Sequence, residues 1–429
     1  MAFSSLLGET ARDGESHILG SHVVVRVQSC WKMWAFSETN KNTTLQNLSR
    51  SKLKLGWAGK ATEQESNSIT EPNPIYRQQQ PIHWSRLSNA GAWSGGERKV
   101  MAMVVAVIVF VSLFLFVFLA IKFATADGDF TLTSKGGAKR DQIEDKVVWI
   151  TGASRGIGEI LAKQLAKLGA KLIISARNEA ELERVKRELT GKHVPDGVKV
   201  LPLDLASGED HLKDAVEKAE SFFLNAGVDY MIHNAAVERP KTSALDVTEE
   251  SLKETFNVNV LGTLTLTRLL APYMLRRGKG HFVVMSSAAG KTPAPGQAMY
   301  SASKHALNGY FHTLRSELCQ KGIQVTIVCP GPIETSNASG AASSENKASR
   351  EKRVSSERCA ELTIVAATHG LKEAWISYQP VLAVMYLVQY MPTIGYWLMD
   401  KIGGNRVEAA ARKGNTYSLS LLFGKKKAS

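Results

Sequence analysis

A tyrosine and a lysine stand four positions apart in the second half of the chain, as Tyr300-Ser301-Ala302-Ser303-Lys304. On an α-helix this spacing puts both side chains on one face. A free tyrosine has a pKa near ~10, too high for efficient proton exchange at neutral pH, but an adjacent ammonium stabilises the phenolate and lowers that pKa. Ser287 lies thirteen residues before Tyr300 at a predicted strand end, where its hydroxyl could polarise a carbonyl. These residues are candidates for acid and base catalysis.

A glycine-rich turn lies earlier in the chain, between an apolar run and a helical pattern. Glycines let the backbone approach a pyrophosphate, and the free amides and positive dipole end of the following helix attract its negative charge. In the order strand, turn, helix, the pattern indicates a dinucleotide site. The residues expected to bind the cofactor here are Thr151, Gly152, Ser154, Arg155, Gly156, Ile157 and Gly158.

The end of the predicted second strand bears on the choice of cofactor. Enzymes specific for NAD place an acid there, which binds the ribose 2′-hydroxyl and repels a 2′-phosphate. This strand has no acid and is followed by Arg177. Because Arg177 and Arg155 can pair with a phosphate, NADPH or NADP is the expected cofactor. Asp204, after the third strand, is a candidate acceptor for the adenine amino group, and a strand-end cap is the competing interpretation.

Short apolar runs alternate with amphipathic helical patterns through the middle of the chain. Such alternation implies right-handed crossovers and a doubly wound parallel sheet. We expect a single α/β domain of Rossmann type at 146–360. The predicted strands are 146–151, 171–175, 198–203, 230–233, 281–285 and 324–328, with helical patterns at 158–168 and 179–189.

Together these features resemble the short-chain dehydrogenase/reductase family, in the set that carries the TGxxxGxG and YxxxK motifs, from Lys146 to Arg406. The resemblance implies that Tyr300 is the catalytic acid and base and Ser287 the carbonyl polariser. It implies that Lys304 activates the tyrosine and binds the ribose, and that Asn259 holds a water for proton relay. It adds four residues to those expected to contact the cofactor, namely Asn234, Pro330, Gly331 and Thr335.

One departure from the family pattern follows the fourth predicted strand. The chain has Asn234-Ala235-Ala236 where the family has Asn-Ala-Gly. The added methyl group affects the packing expected for this loop and leaves the expected fold unchanged.

The family resemblance implies reversible hydride transfer between NADPH and a carbonyl carbon. The expected enzyme is an NADP-dependent oxidoreductase acting on CH-OH groups. Two alternatives stay open, a non-catalytic NADPH-binding membrane scaffold and a reductase of sphingoid ketones. The four cysteines have no metal-ligand spacing, and no metal is expected. The net charge of +13 is spread among acids in the middle of the chain, so nucleic acid is not an expected partner.

Residues 100–121 are free of charged side chains, and 22 residues can cross a hydrocarbon core of ~30 Å. A transmembrane anchor is therefore predicted at 100–122, followed by a polar linker at 123–145. The leader 1–99 lacks periodicity and is predicted to be disordered. It nevertheless holds five of the eight tryptophans, so we hypothesise that translation starts at Met101 or Met103 and that the native product lacks the leader.

The segment from Leu371 to Ile402 resembles the branch of the family called dehydrogenase/reductase family member seven. Its 26 uncharged residues at 374–399 include two prolines and several aromatic residues. These features favour a helical cap at 361–402 that lies on the bilayer, and a second spanning helix is the alternative. A lipophilic steroid, retinoid or other lipid-derived substrate fits such a cap. Ser336–Arg358 is expected to be either a mobile lid or a passive loop.

The tail at 403–429 is basic and suits an anionic membrane surface, although a merely soluble tail is equally compatible with it. Its end resembles a dilysine retrieval signal of the endoplasmic reticulum, which predicts a single-pass protein of that membrane with a cytosolic catalytic domain. Three basic residues before the anchor and four after it do not decide the orientation. A lumenal domain, with Asn337 glycosylated, stays open, as does a homodimer.

Overall fold

The computed structural model describes residues 95–238, 242–334 and 352–411, without the side chains of 95, 97–98 and 404–411. The last residues of the predicted lid 336–358, at 354–358, form a short strand and the start of a helix. Most of the leader, residues 336–351 of that lid, and the tail beyond Ala411 lie outside the described ranges. So do Thr335 and Asn337, together with the dilysine sequence.

Within the described ranges, seven parallel strands form one sheet in the order β3-β2-β1-β4-β5-β6-β9. The runs are rich in aliphatic residues because both faces of the sheet are covered, which suits parallel strands. The strands are β1 (Val147–Thr151), β2 (Lys171–Ser175), β3 (Val198–Val200), β4 (Tyr230–His233), β5 (Gly280–Met285), β6 (Ile323–Pro330) and β9 (Glu373–Ile376), while β7 (Ile333–Glu334) and β8 (Val354–Ser355) form a separate parallel pair.

Helices cover both faces of this sheet. One core cluster lies under α3, α4 and α9, and a second lies under α5, α7 and α8. The helices are α1 (Gly95–Thr125), α2 (Phe130–Thr133), α3 (Gly156–Lys167), α4 (Glu179–Glu188), α5 (Glu209–Asn225), α6 (Glu249–Phe256), α7 (Thr263–Arg277), α8 (Ala298–Leu318), α9 (Ser356–Thr368), α10 (Val381–Tyr390) and α11 (Pro392–Ala411).

The α/β fold of Rossmann type is therefore confirmed, and all six predicted strands are present. β3 ends at Val200 rather than at 203, and β6 continues to Pro330. The strand order reverses between β1 and β4, which opens a crevice at the carboxyl edge of the sheet, where ligands bind in such folds.

The boundary expected at residue 360 falls inside α9, which packs on the sheet. The catalytic fold also includes β9, although the sequence placed residues 373–376 in the cap. A four-residue strand inside a long apolar run has no alternation that would distinguish it from its neighbours. The cap therefore begins at Val381 and consists of α10 and α11.

The segment expected to be a polar linker, 123–145, is ordered and bonded to the domain. Asp129 pairs with the edge strand β9: its amide donates to the Trp375 carbonyl at 2.9 Å, and its carboxylate accepts from the Trp375 amide at 2.6 Å. Asp127 forms an ion pair with Arg358 at 2.7 Å. The polar side chains that suggested a free linker are those that bond to the sheet, and composition alone does not reveal such partners.

The helix α1 is exposed along its apolar length, and 99–125 is long and apolar enough to cross a membrane. The cap is divided into α10 and α11 near Pro392, and α10 has only ten residues. A spanning helix needs ~20 apolar residues. Among the described helices, α1 alone meets the criteria of length and apolarity for a span.

Candidate active site

One cleft runs along the carboxyl edge of the sheet and has two ends. The first, with a volume of about 810 Å³, lies over the turn after β1 and the ends of β2 and β3. The second, of about 350 Å³, lies over the ends of β5 and β6 and is lined by Tyr300 and Lys304. We call them the cofactor end and the substrate end. Asn234, Ala236 and Glu238 line both, so the two ends are adjacent.

The glycine turn at the cofactor end is sterically restricted. A Cβ on Gly158 would lie 2.2 Å from the Gly152 carbonyl oxygen, and one on Gly152 would lie 2.8 Å from the Ala235 Cα. Gly156, the first residue of α3, has open space where a side chain would be. No side chain caps this helix start, so its amides are available to an anion. The turn therefore fits a dinucleotide pyrophosphate.

Thr151 and Asn234 join the loops that follow β1 and β4. The Thr151 hydroxyl accepts from the Asn234 amide at 3.1 Å and from the Ala235 amide at 3.2 Å. The Asn234 side chain donates to the carbonyls of Thr151 at 3.0 Å and Gly152 at 3.1 Å. Both residues line the cofactor end, and their side chains hold the turn in place.

The arginines expected to select NADP, Arg155 and Arg177, both line the cofactor end, as does Asp204. Asp204 is exposed, and its carboxylate accepts from the Ala206 amide at 3.0 Å, as expected of a strand-end cap. The Ser154 carbonyl accepts from Arg184 at 3.1 Å, which braces the turn. Ile157 lies at the substrate end.

Tyr300 and Lys304 lie on the first turns of α8. The Lys304 ammonium is buried, donates to the Met285 carbonyl at 2.8 Å, and lies 5.5 Å from the centre of the Tyr300 ring. Burial lowers the pKa of Lys304 to about 8, against the opposing charge of Glu238. The ammonium is therefore held beside the phenol by the end of β5.

The expected lowering of the Tyr300 pKa does not occur in this structure. Burial raises the pKa of Tyr300, the charge of Glu238 raises it further, and a hydrogen bond with Ser287 opposes both. The free-energy cost of removing a phenolate from water is larger than the stabilisation that a hydrogen bond from a nearby hydroxyl provides. The sequence prediction considered the ammonium and left out burial.

Ser287 follows β5, and its hydroxyl accepts from the Ala289 amide at 3.1 Å and donates to the Pro330 carbonyl at 3.4 Å. These contacts, with its interaction with Tyr300, place the hydroxyl between the catalytic helix and the end of β6. Gly331, the next residue, donates its amide to the Ile376 carbonyl at 2.8 Å. A Cβ on Gly331 would lie 2.3 Å from the Ser377 hydroxyl, so the loop is held against the segment after β9.

Asn259 lies in a π-helical turn, Asn257–Gly262, that separates α6 from α7. Such turns are frequent at functional sites. Its side-chain oxygen accepts from the Val237 amide at 2.7 Å, and its nitrogen donates to the Val237 carbonyl at 3.0 Å and to the Ser303 hydroxyl at 3.2 Å. The side chain thus joins the β4 loop to the catalytic helix. Its expected role in holding a water stays a prediction.

The polar residues at the substrate end that sequence reasoning missed include three from separate segments, Glu238, Gln297 and Arg353. The Gln297 side chain, directly before α8, donates to the Glu238 carboxylate. The three come from the β4 loop, the start of the catalytic helix and the residue before β8. No local motif links them, so their proximity is visible only in the fold.

Fold and site together define a dinucleotide-dependent oxidoreductase, and the comparisons with known proteins agree. The family model described as short chain dehydrogenase matches residues 146–346. The human dehydrogenase/reductase SDR family member 7 is 38% identical over 302 residues, covering 67% of this chain and 87% of the relative. The chain belongs to the short-chain dehydrogenase/reductase family, whose members bind NAD or NADP. The resemblance inferred from the sequence is thereby confirmed.

Two solved structures resemble the domain. A 3-ketoacyl-(acyl-carrier-protein) reductase from Brucella melitensis, complexed with NADH, is 29% identical and has a TM-score of 0.47, covering 52% of this chain and 91% of its own. A metagenomic short-chain oxidoreductase in complex with NADP is 26% identical with a TM-score of 0.44, and it covers 53% of this chain and 92% of its own.

Proposed function

We propose that this protein is a membrane-anchored reductase that uses NADPH to interconvert carbonyl and alcohol groups of lipophilic substrates. The observation that carries the proposal is the adjacency of the two ends of the cleft. An arginine-lined cofactor end lies beside a substrate end where Tyr300, Lys304 and Ser287 meet. The geometry supports an enzyme in preference to a non-catalytic scaffold, since a scaffold has no need of a buried lysine beside a half-buried tyrosine in a cleft.

Each side chain at the substrate end has a distinct part in the proposed reaction. NADPH, when bound, supplies the hydride. Tyr300 donates its proton to the carbonyl oxygen as the carbonyl becomes an alkoxide, because an alkoxide is a stronger base than the phenolate even with the pKa of Tyr300 raised by burial. Ser287 polarises the same oxygen. Lys304, buried and held by Met285, stabilises the phenolate left behind.

The cofactor preference rests on two arginines. A 2′-phosphate at the cofactor end would find Arg155 and Arg177, and the acid that NAD-specific enzymes use is missing after β2. Gly156 supports the same placement, since its open side lets the backbone approach the phosphates.

A lipophilic substrate is proposed because α1 and the cap carry the apolar surface. A steroid, retinoid or other lipid-derived ketone or aldehyde would partition into the membrane to which α1 is proposed to anchor the domain. A long-chain sphingoid ketone is the second candidate within the same chemistry. We place the protein in the endoplasmic reticulum membrane with a cytosolic catalytic domain. Glycosylation at Asn337 would show instead that the domain is lumenal.

The test is NADPH consumption by the full-length protein against a panel of lipid carbonyls that includes a sphingoid ketone, with Tyr300→Phe as the variant. The substitution removes the donated proton, so kcat should fall by about 10²–10⁴-fold. NADPH binding, measured by fluorescence, should be retained, which shows that the variant is folded. Equal turnover by the two proteins would refute the mechanism, and NADPH binding without turnover of any carbonyl would favour the scaffold.

A further inference from the structure

Exposed apolar side chains outside α1 are concentrated at one place. Ten large hydrophobic residues beyond that helix are exposed among the described residues, and six of them belong to the cap or to the start of α2. These six residues define what we call the hairpin face, after the helical hairpin that α10 and α11 form. They are Phe130, Tyr390, Met391, Ile394, Tyr396 and Trp397.

The helix α11 packs on α10 through one narrow stripe. Met399 and Ile402 are buried against Val388, and Gly395 approaches so closely that a Cβ there would lie 2.7 Å from the Val388 Cα. A cluster of three buried residues stabilises the packing of α11 only slightly, while the opposite face of the helix exposes apolar side chains. The helix therefore needs a second surface on that side.

The exposed side of α11 has the composition of a membrane interface. Ile394, Trp397 and Lys401 share one helix face by their spacing. The Lys401 ammonium lies 4.0 Å from the centre of the Trp397 ring, so a cation lies directly beside the exposed apolar side chains of this face. Tryptophan, tyrosine and lysine in this arrangement are typical of helices that lie in the headgroup region.

The hairpin face is continuous with the end of α1. The rings of Phe123 and Tyr386 are 5.8 Å apart, and those of Tyr386 and Tyr390 are 6.0 Å apart. The Gln379 side chain donates to the Phe123 carbonyl at 2.9 Å. An aromatic row thus leads from the last turn of α1 to the tip of the hairpin.

The domain cannot swing freely about α1, because the segment between them is bonded to the sheet. Asp129 pairs with Trp375 on β9, Asp127 pairs with Arg358 on α9, and the Phe130 amide donates to the Tyr386 hydroxyl at 3.0 Å. These contacts hold the hairpin face in a fixed position beside the point where α1 ends.

From these observations we infer that the hairpin face lies in the interfacial region of the bilayer leaflet in which α1 ends. The inference rests on the proposed anchor. The surface that covers the hairpin face is the lipid bilayer itself, since any surface covering this face must also lie against the last turn of the proposed span. The aromatic residues would enter the headgroup region by ~5–10 Å.

This position would bring the substrate end of the cleft to the membrane. The Gln389 side chain on α10 donates to the Lys291 carbonyl at 2.9 Å, in the loop that follows Ser287. Val381, at the other end of α10, lies beside Gly331. The helix α10, which carries Tyr390 of the hairpin face, therefore packs behind the loops at the substrate end, and a lipophilic substrate would enter from the bilayer beside it.

The experiment uses the full-length chain in phosphatidylcholine nanodiscs. The background carries Cys319→Ser, which removes an exposed thiol, and Cys30→Ser, which removes a thiol outside the described residues. In this background a single cysteine replaces Ile394 or Trp397 and is labelled with an environment-sensitive fluorophore. Leu245→Cys, at a site 94% exposed, is the control in water, and Phe114→Cys in α1 is the control in lipid. Quenching is measured with lipids that carry a nitroxide near the headgroup for the labels at 245, 394 and 397, and with lipids that carry it near the middle of the acyl chain for the label at 114, which lies near the centre of the proposed span.

At positions 394 and 397 we expect blue-shifted emission and loss of about half of it to the nitroxide lipids, against almost none at 245. Emission equal to that at 245 would overturn the inference, as would a blue shift without quenching, which would mean cover by a second copy. An unquenched label at 114 would overturn the anchor and the inference together. The readout involves no turnover, so none of these outcomes bears on the catalytic assignment.

Discussion

The two ends of the cleft are built in different ways. The cofactor end is made largely of backbone from one short segment, where the glycines of the turn pack against each other and against the β4 loop. The substrate end is made of side chains from separate segments, among them Glu238, Gln297 and Tyr300. The first depends on close steric fit, and the second depends on charge and burial.

This difference predicts how each end responds to substitution. At the cofactor end a single methyl group should be enough to displace the turn, because packed backbone atoms cannot move aside as flexible side chains do. At the substrate end a change of charge should leave the fold intact and alter the proton chemistry of Tyr300. The substitutions below separate the two expectations.

The largest effect is expected from Gly158→Ala. The new Cβ would lie 2.2 Å from the Gly152 carbonyl oxygen, so the turn must shift, at a cost of about 1–3 kcal/mol in the free energy of unfolding. NADPH affinity should fall at least about tenfold as a result.

The control is Gly309→Ala on α8, where no atom lies within 4 Å of the added methyl group. Stability should rise by about 0.5–1 kcal/mol in this variant. Denaturant unfolding and NADPH titration check both. Wild-type behaviour of Gly158→Ala would refute the steric description of this end.

A smaller effect at the same end is expected from Arg177→Asp. A charge-assisted hydrogen bond is worth about 1.5–3 kcal/mol, so the ratio of kcat/KM for NADPH to that for NADH should fall by about 10–100-fold. Arg187→Asp, on the exposed side of α4 and outside the cleft lining, makes the same charge change and should leave the ratio unaltered. If both variants shift the ratio equally, the general field of the protein, and not a contact of Arg177, selects the cofactor.

The same contrast accounts for how much the sequence predicts. The glycine turn, the pair of Tyr300 and Lys304, and the position of Ser287 all follow from local spacing, and the structure brings them to one cleft. Periodicity also predicts six of the seven strands of the main sheet. It misses β9, whose four residues lie inside a long apolar run.

What the sequence could not predict depends on contacts between distant segments. Asp129 looks like part of a polar linker until its bonds to Trp375 are seen. Glu238 and Arg353 have no motif that marks them as part of the cleft. The direction of the Tyr300 pKa was predicted wrongly for a related reason, because burial is a property of the whole fold and the spacing of two residues does not reveal it.

The smallest effect is expected at the substrate end, from Glu238→Gln. Burial raises the pKa of Tyr300, and the negative charge of Glu238 raises it further, so neutralising that charge should lower the pKa. Alcohol oxidation needs deprotonated Tyr300 as the base. Its pH profile should therefore move to lower pH, with a gain of about two- to tenfold in kcat/KM on the acidic limb.

The amide of the new glutamine preserves the size of the side chain, so stability should stay at the wild-type value. Glu249→Gln is the matched control, because this carboxylate is exposed on α6 and pairs with Lys253 at 2.6 Å, outside the cleft. Its oxidation profile should not move. An unmoved profile in Glu238→Gln as well would leave burial as the sole cause of the raised Tyr300 pKa. The substrate end would then depend, like the cofactor end, on how tightly its groups are enclosed.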